Sequence, residues 1–178
     1  MDELELAKRL ADSDPAAIDR LVDLHHASIY RFLRHLTRHV EDAEDLAQQT
    51  LMRALKGAGR FDGRGSMRAW LLGVAFHEFT RWRRRRLWLP LVADRPQPGN
   101  DYDRLLEADA LLDAIGRLPD GVRGTFLMHY VEELPVAEIA AGLGIPEGTV
   151  KSRLHTARSR LSTLLEEEVN YATNPCQP

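Results

Sequence analysis

The sequence predicts an all-α fold of two small helical domains joined by a flexible linker. Apolar residues recur at i, i+3 and i+4 spacing through most of the 178-residue chain, and no strongly alternating apolar stretch indicates a strand. One segment, LPLVADRPQPGNDYD, breaks this pattern, because its prolines, glycine and asparagine suit neither helix nor strand. We therefore expect a first domain over residues 1–89, a linker over 90–104, a second domain over 105–168 and a tail over 169–178.

The first long helix is predicted to begin after Asp14. This aspartate is placed to cap the helix, and Pro15 suits the first helical position, where a missing N–H costs nothing. Helical spacing then predicts a buried stripe. Its members are Ile18, Leu21, Val22, Ile29, Phe32, Leu33 and Leu36.

A second helix is predicted over residues 41–56, with one small and apolar side and one polar and acidic side. The apolar side consists of Ala43, Leu46, Ala47, Thr50, Leu51, Ala54 and Leu55. The exposed side is expected to carry Glu44, Asp45, Gln48, Gln49 and Arg53.

A third helix is predicted to follow the loop GAGRFDGRGS, with Ser66 as its cap. It ends in TRWRRRRLWL, where five of the six residues from Arg81 to Arg86 are arginines. Cationic side chains suit the C-terminal end of a helix dipole. Because successive helical residues are about 100° apart, the four arginines from Arg83 to Arg86 cannot all face one duplex, and we expect about two of them to reach phosphates.

The second half contains a helix-turn-helix pattern, PVAEIAAGLGIPEGTVKSRLHTARSRL. Pro135 opens a short helix, Gly144 lies in the turn, and Pro146 starts a basic helix. A small residue, Ala140, is placed where the two helices cross. A basic second helix of this kind fits the major groove of DNA.

Charge is concentrated in two basic blocks, although the net formal charge is −3. Residues 51–90 carry ten basic and two acidic residues, and residues 148–165 carry four basic and no acidic ones. The intervening residues 91–147 carry eleven acidic and four basic residues. This pattern predicts two separate basic surfaces that face anions, although the net charge of the whole chain is small and negative.

Composition argues against several other classes of protein. The single cysteine, Cys176, allows no intramolecular disulfide framework and suggests no thiol-metal site. The N-terminus, MDELELAKRL, does not read as a signal peptide, and no stretch approaches the roughly 18 apolar residues of a membrane span. We therefore expect a cytoplasmic protein.

Three segments together resemble the extracytoplasmic-function sigma factors of bacterial RNA polymerase. They are DAEDLAQQTLMRAL, then SMRAWLLGVAFHEFTRWRRRR after Phe61, and finally LPDGVRGTFLMHYVEELPVAEIAAGLGIPEGTVKSRLHTARSRL. The resemblance covers nearly the whole chain in the same order. It implies two helical domains, called regions two and four, with a role in binding core polymerase, locating a promoter and helping to open it. It implies no catalytic residue, cofactor, metal or small-molecule substrate.

The resemblance also implies residue roles. For the minus-ten element and its phosphates the matching residues are Phe61, Ser66, His77, Thr80, Arg81, Arg83, Arg84, Arg85 and Arg86. For the minus-thirty-five element they are Thr149, Lys151, Ser152, Arg153, His155, Thr156 and Arg158. For docking on core polymerase they are Asp42, Asp45, Gln48, Gln49 and Arg53.

Two residues depart from the pattern of this family. Relatives often have asparagine where His77 stands, although an imidazole can also donate and accept hydrogen bonds. Many relatives have arginine at the position of Thr156, so one base or phosphate contact is expected to be lost here. Membership also implies a partner, an anti-sigma factor that is often membrane-bound and that covers the polymerase-binding and DNA-binding faces.

Two alternatives belong to different classes. The first is a sigma-like mimic that binds an anti-sigma factor and never touches DNA, and retention of both basic blocks argues against it. The second is a metal-dependent enzyme, suggested by seven histidines and by the spacing of His35 and His39. No HExxH motif and no third ligand at diagnostic spacing supports the metal site.

Overall fold

The computed structural model describes residues 2–88 and 106–173, and the chain is all-α there, as the sequence predicts. An N-terminal unit comprises α1 (Glu3–Ala11), α2 (Pro15–Thr37), α3 (Val40–Gly57), a short 3-10 turn (Ala58–Arg60) and α4 (Met67–Trp88). A C-terminal unit comprises α5 (Leu106–Gly116), α6 (Asp120–Tyr130), α7 (Val136–Leu143) and α8 (Glu147–Thr173). The predicted linker, residues 90–104, lies outside the described residues. Helix α8 continues beyond residue 168 to Thr173.

The N-terminal unit is a helical bundle around a core supplied by α2, α3 and α4. The predicted start of α2 is confirmed, since the Asp14 carboxylate accepts a hydrogen bond from the Ala16 N–H at 3.0 Å and Pro15 opens the helix. Leu21, Ile29, Phe32, Leu33 and Leu36 are buried as predicted. The prediction for Val22 is wrong, because it lies at the edge of the stripe and is 37% exposed.

The C-terminal unit contains the predicted helix-turn-helix. Gly144 ends α7 with a φ of 65°, the left-handed conformation that glycine adopts without strain. The Ile145 N–H then donates to the Ala140 carbonyl at 3.0 Å, which closes the turn between α7 and α8. The buried face of α8 consists of Val150, Leu154, Ala157 and Leu161.

The two units pack against each other through α4 and α7. Their backbones meet at two glycines, since a Cβ on Gly73 would collide with the carbonyl oxygen of Gly142. A Cβ on Gly142 would in turn collide with the carbonyl oxygen of Ala69. Glycine inside a helix costs about 1 kcal/mol relative to alanine, and this close approach accounts for Gly73 in the middle of α4. Within the described ranges no helix has the length and apolar character required to span a membrane.

Candidate nucleic-acid interface

The loop from Phe61 to Ser66 is attached to the start of α4 by a helix cap and an aromatic contact. The Ser66 hydroxyl accepts a hydrogen bond from the Ala69 N–H at 3.2 Å, which confirms the predicted cap. Phe61 is buried, with its ring centroid 5.8 Å from that of Trp70. Phe61 therefore attaches the loop to α4 through its contact with Trp70. It presents little of its own ring to solvent.

An open cavity of about 590 Å³ lies beside this loop. One wall is formed by Asp62, Arg64 and Trp70 of the N-terminal unit. The opposite wall is formed by Ile145, Pro146 and Glu147, at the turn of the helix-turn-helix. The loop that sequence analysis assigned to the minus-ten element thus faces the C-terminal unit in this arrangement.

A basic groove of about 480 Å³ runs along the exposed side of α4. It is lined by His77, Thr80, Arg81, Arg84 and Arg85. These residues lie three or four positions apart or adjacent, so one side of the helix presents them together. The groove brings together five of the residues that the sequence assigned to the minus-ten element.

The four arginines from Arg83 to Arg86 divide into two kinds. Arg83 pairs with Asp120 of the C-terminal unit. Arg86 pairs with Asp42 at 2.8 Å, and its guanidinium lies 4.9 Å from the centre of the Trp82 ring. Arg84 and Arg85 are exposed, and neither has an acidic partner among the described residues. Two cations of this run are therefore free to meet phosphates.

Glu78, which sequence analysis did not single out, anchors the base of this groove. It is a buried carboxylate on α4 that binds Arg53 of α3 at 2.6 Å and Arg81 of α4 at 3.1 Å. The spacing of Glu78 and Arg81, three residues apart on one helix, was the available signal. The pair with Arg53 joins residues that are distant in the sequence, so no local pattern indicates it.

The exposed face of α3 contains all five residues that the sequence predicts there, namely Glu44, Asp45, Gln48, Gln49 and Arg53. Met52 beside them is 58% exposed. Asp42 is partly buried by its pair with Arg86. The guanidinium of Arg53 is engaged by Glu78, although the residue remains exposed overall. The exposed face thus combines five polar side chains with one large apolar one.

Helix α8 presents a basic face opposite its buried residues. Lys151, His155 and Arg158 are exposed at successive turns, and Ser152 is exposed beside them. Within the described residues, the only acidic group that pairs with any of them is Glu147, whose carboxylate lies 3.7 Å from the Lys151 ammonium. A pair this exposed contributes little and can be exchanged for a phosphate.

The other assigned residues of α8 are less accessible. The guanidinium of Arg153 lies against Gly121 of α6, where it would contact an added Cβ at 3.2 Å. The Thr156 hydroxyl donates to the Ser152 carbonyl at 3.0 Å. Thr149, at the start of the helix, is half-buried.

Two partly buried histidines of the N-terminal unit have lowered pKa values. Burial lowers the pKa of His25, and the charge of Arg68 lowers it further. Burial also lowers the pKa of His35, and this effect exceeds the opposing attraction of Glu132. Among the described residues, no group of three or more His, Cys, Asp or Glu side chains is placed to hold a metal ion.

Two family models match the two units in order. The model for Sigma-70 region 2 matches residues 21–89, and the model for Sigma-70, region 4 matches residues 108–161. RNA polymerase sigma factor YlaC of Bacillus subtilis is 30% identical over 82% of this chain and 90% of its own length. ECF RNA polymerase sigma factor SigL of Mycobacterium tuberculosis is 33% identical over 88% of this chain and 93% of its own length.

Solved structures agree with these matches. The sigma factor RpoE of Bartonella quintana, in complex with the anti-sigma factor NepR, aligns with a TM-score of 0.65 and 27% identity, over 83% of this chain and 96% of that one. CnrH in complex with the cytosolic domain of CnrY aligns with a TM-score of 0.69 over 93% of this chain and 97% of that one. At 24% identity, CnrH supports the fold alone.

Proposed function

This chain belongs to the extracytoplasmic-function (ECF) sigma factors, and on that premise we propose that it directs core RNA polymerase to specific promoters and helps to open them. It is a transcription initiation factor and not an enzyme. One observation in the structure of this chain supports the proposal. Each unit exposes one basic face, on α4 and on α8, in the order of region 2 and region 4. It acts with the polymerase, in the cytoplasm.

The N-terminal unit is the proposed reader of the minus-ten element. Arg84 and Arg85 are free to neutralise the phosphates of a strand that is being opened, which a basic groove does without regard to sequence. His77 and Thr80 lie in the same groove and supply groups that hydrogen-bond to bases. The loop from Phe61 to Ser66 supplies a rim for an unpaired base.

The C-terminal unit is the proposed reader of the minus-thirty-five element. Lys151, His155 and Arg158 follow one another along α8, so the helix can lie in a major groove with all three directed at DNA. The guanidinium of Arg153 lies against α6, and the Thr156 hydroxyl is engaged by the Ser152 carbonyl of its own helix. We therefore assign the main base contacts to the first three residues together with Ser152.

The exposed face of α3 is the proposed docking surface for core polymerase. Its centre consists of Asp45, Gln48, Gln49 and Met52. A large apolar side chain surrounded by polar ones is typical of a protein interface. Asp42 and Arg53 support this face through their ion pairs with α4.

We further propose that an anti-sigma factor holds this chain inactive. Support comes from the 27% identical structural neighbour, which is bound to an anti-sigma factor. Such control would act on the two domains predicted from the sequence, which are region 2 over residues 1–89 and region 4 over residues 105–168.

Transcription from mapped start sites tests the proposal. Core polymerase is incubated with genomic fragments, with and without the purified protein, and the 5′ ends of the transcripts are sequenced. We expect new start sites that share one sequence element near position minus ten and another near minus thirty-five. The variant carrying Lys151→Ala and Arg158→Ala should lose these starts, whereas Arg160→Gln, on the opposite flank of α8, should keep them. Start sites that are the same with and without the protein would overturn the proposal.

A further inference from the structure

The N-terminal end of α1 contacts the minus-ten loop, which is the loop from Phe61 to Ser66. Leu4 lies over the middle of this loop, where a Cβ on Gly63 would come within 3.2 Å of a Leu4 methyl carbon. Glu3 lies at its end, where the Glu3 carboxylate accepts a hydrogen bond from the Met67 N–H at 2.9 Å. Two adjacent residues of α1 therefore contact the loop at its middle and at the point where it enters α4.

The Glu3 carboxylate contributes to the cap of α4. The first N–H groups of a helix have no partner within the helix, and the helix dipole favours a negative charge beside them. The Ser66 hydroxyl satisfies the Ala69 N–H from within the loop, whereas Glu3 satisfies the Met67 N–H from another helix. Because the loop supplies only one of these two acceptors, the start of α4 depends in part on where α1 lies.

The turn at Gly63 is shaped by the loop itself and by α1. Gly63 has a φ of 71°, the left-handed conformation that suits glycine, and the Asp62 carboxylate accepts a hydrogen bond from the Arg64 N–H at 3.1 Å across the turn. Asp62 and Arg64 line the cavity beside the loop, whereas a Cβ on Gly63 would point at Leu4. Leu4 thus contacts the loop between two residues that line the cavity, so a change in its packing would move both.

Helix α1 is itself attached to the rest of the N-terminal unit. Leu6, Ala7 and Leu10 are buried. The Arg9 guanidinium donates at 2.6 Å to the carboxylate of Asp14, the residue that caps α2. The helix is therefore attached to the start of α2 at one end and to the start of α4 at the other. All of these contacts lie within the N-terminal unit, so they do not depend on where the C-terminal unit lies.

We propose that α1 positions the minus-ten loop for the capture of an unpaired base, with Glu3 and Leu4 as positioning residues that act through the loop. A loop that already has the shape of the bound state binds more tightly, because ordering a loop on binding costs free energy. This inference rests on the proposed function, because it concerns the same loop. It assigns part of the affinity for the minus-ten element to residues 3–11, which precede the residues that the region 2 model matches.

Amide hydrogen exchange in the free protein tests the contact between α1 and the loop. Glu3→Ala should speed exchange of the Met67 N–H at least about tenfold, because the acceptor of that N–H is lost. Glu3→Gln keeps a side-chain oxygen that can accept the same hydrogen bond, so it should restore most of the protection. Glu5→Ala removes an equal charge from an exposed position on α1 and should leave the exchange unchanged. Equal exchange rates in Glu3→Ala and Glu5→Ala would overturn the proposal.

Binding of the holoenzyme to single-stranded minus-ten oligonucleotides tests the positioning role. An abasic nucleotide replaces each base of the element in turn, and the largest loss for the wild-type protein identifies the captured base. Glu3→Ala combined with Leu4→Ala should weaken binding to the intact element at least about fivefold, and binding to the oligonucleotide that lacks the captured base by less than about twofold. Glu5→Ala should bind both like the wild-type protein. Duplex fragments that carry only the minus-thirty-five element should bind all variants alike, which controls for folding.

A loss of equal size on the intact and the abasic oligonucleotide, or no loss on either, would overturn the positioning role. A wild-type holoenzyme that binds every oligonucleotide alike would instead count against the proposed function. The exchange measurement uses neither polymerase nor DNA, so it decides separately whether α1 holds the loop.

Discussion

Glu78 of α4 and Arg53 of α3 form an ion pair of 2.6 Å whose carboxylate is buried and whose guanidinium is half exposed. The pair ties the proposed polymerase-binding helix to the helix that carries the proposed minus-ten groove. Glu78 also binds Arg81 in that groove. A single carboxylate therefore orients cations that belong to two functional surfaces.

Replacing Glu78 tests this anchoring role. Glu78→Gln should lower the free energy of unfolding by about 1–2 kcal/mol, a value at the low end for charged hydrogen bonds because both arginines are partly exposed. Urea denaturation measures the change. The matched control is Glu44→Gln on α3, an exposed residue that should change stability by less than about 0.5 kcal/mol. Equal effects of the two substitutions would show that Glu78 anchors nothing.

Substitutions on the exposed face of α3 are expected to weaken polymerase binding without changing the fold. Asp45→Lys combined with Met52→Ala should weaken holoenzyme formation at least about tenfold, since both side chains are exposed and removing them leaves the core of the unit unchanged. Titration of labelled core polymerase measures the affinity, and circular dichroism should show unchanged helix content. Asp23→Lys, at an exposed position on α2, is the control. An affinity that matches this control would place the docking surface elsewhere.

The two free arginines should dominate the salt dependence of promoter binding. Arg84→Gln together with Arg85→Gln should flatten the slope of log affinity against log salt by about 1.4–1.8, which corresponds to two phosphate contacts. Arg86→Gln should flatten it by less than about 0.5, because Asp42 and Trp82 of the same unit already hold Arg86. Holoenzyme binding to a promoter fragment across a salt series supplies both slopes. Similar slopes for the two variants would contradict this division of the arginine run.

The α8 face should determine sequence discrimination. Lys151→Ala or Arg158→Ala should each cost about 1–3 kcal/mol of binding to a matched minus-thirty-five element and much less on a scrambled one. Arg160→Gln removes the same charge from the opposite flank and should affect both sequences alike. Losses of equal size on matched and scrambled DNA would show that Lys151 and Arg158 contact only phosphates.

Stability should fall in mild acid because of the two histidines. The pKa values of His25 and His35 are lowered in the folded chain, so the unfolded chain binds more protons as pH falls below about 6.5. The free energy of unfolding is therefore expected to fall between pH 6.5 and the lowered pKa values. Substituting both by glutamine should remove most of this slope. A slope that persists in the double variant would mean that other groups titrate there.

Glu132 should add a second loss at lower pH. Burial alone would raise its pKa, but the hydrogen bonds from Arg31, Ser28 and Arg68 outweigh burial and lower it. A carboxylate with a lowered pKa stabilises the fold above its ordinary value of about 4.3 and loses that contribution as pH falls through the lowered pKa. The free energy of unfolding should therefore fall again as pH drops below about 4.3, and urea denaturation across this range should show a smaller fall for Glu132→Gln, which has no charge to lose. A fall of the same size in the wild-type protein and in Glu132→Gln would contradict the role of the Glu132 charge.

Local features of the fold were predictable because short-range chemistry determines them. The Asp14 and Ser66 caps and the place of Gly144 in the turn each depend on neighbouring residues, and all three are confirmed. Val22 was misplaced because a helical pattern indicates which side faces inward but not how wide the partner helices are. The pairing of Glu132 with Arg31 joins residues 101 positions apart, so no local pattern reveals it.

In the candidate site, too, local features were predictable from the sequence and tertiary contacts were not. The sequence located the basic run and limited the number of its arginines that can face one duplex, because helix geometry alone sets that limit. Which arginines those are depends on Asp42 and Asp120, whose positions come from the tertiary fold. The close approach of Gly73 and Gly142 likewise gave no signal beyond an unexplained glycine within a helix.

Permanganate reactivity of promoter thymines tests directly whether this chain opens promoters. The promoter is one mapped by transcript sequencing, and core polymerase is added alone, with the wild-type protein, or with the variant carrying Arg84→Gln and Arg85→Gln. We expect reactive thymines around the minus-ten element with the wild-type protein, none with core polymerase alone, and a reduced signal at elevated salt with the variant. A promoter that is bound by the holoenzyme and yet shows no reactive thymine would contradict this expectation.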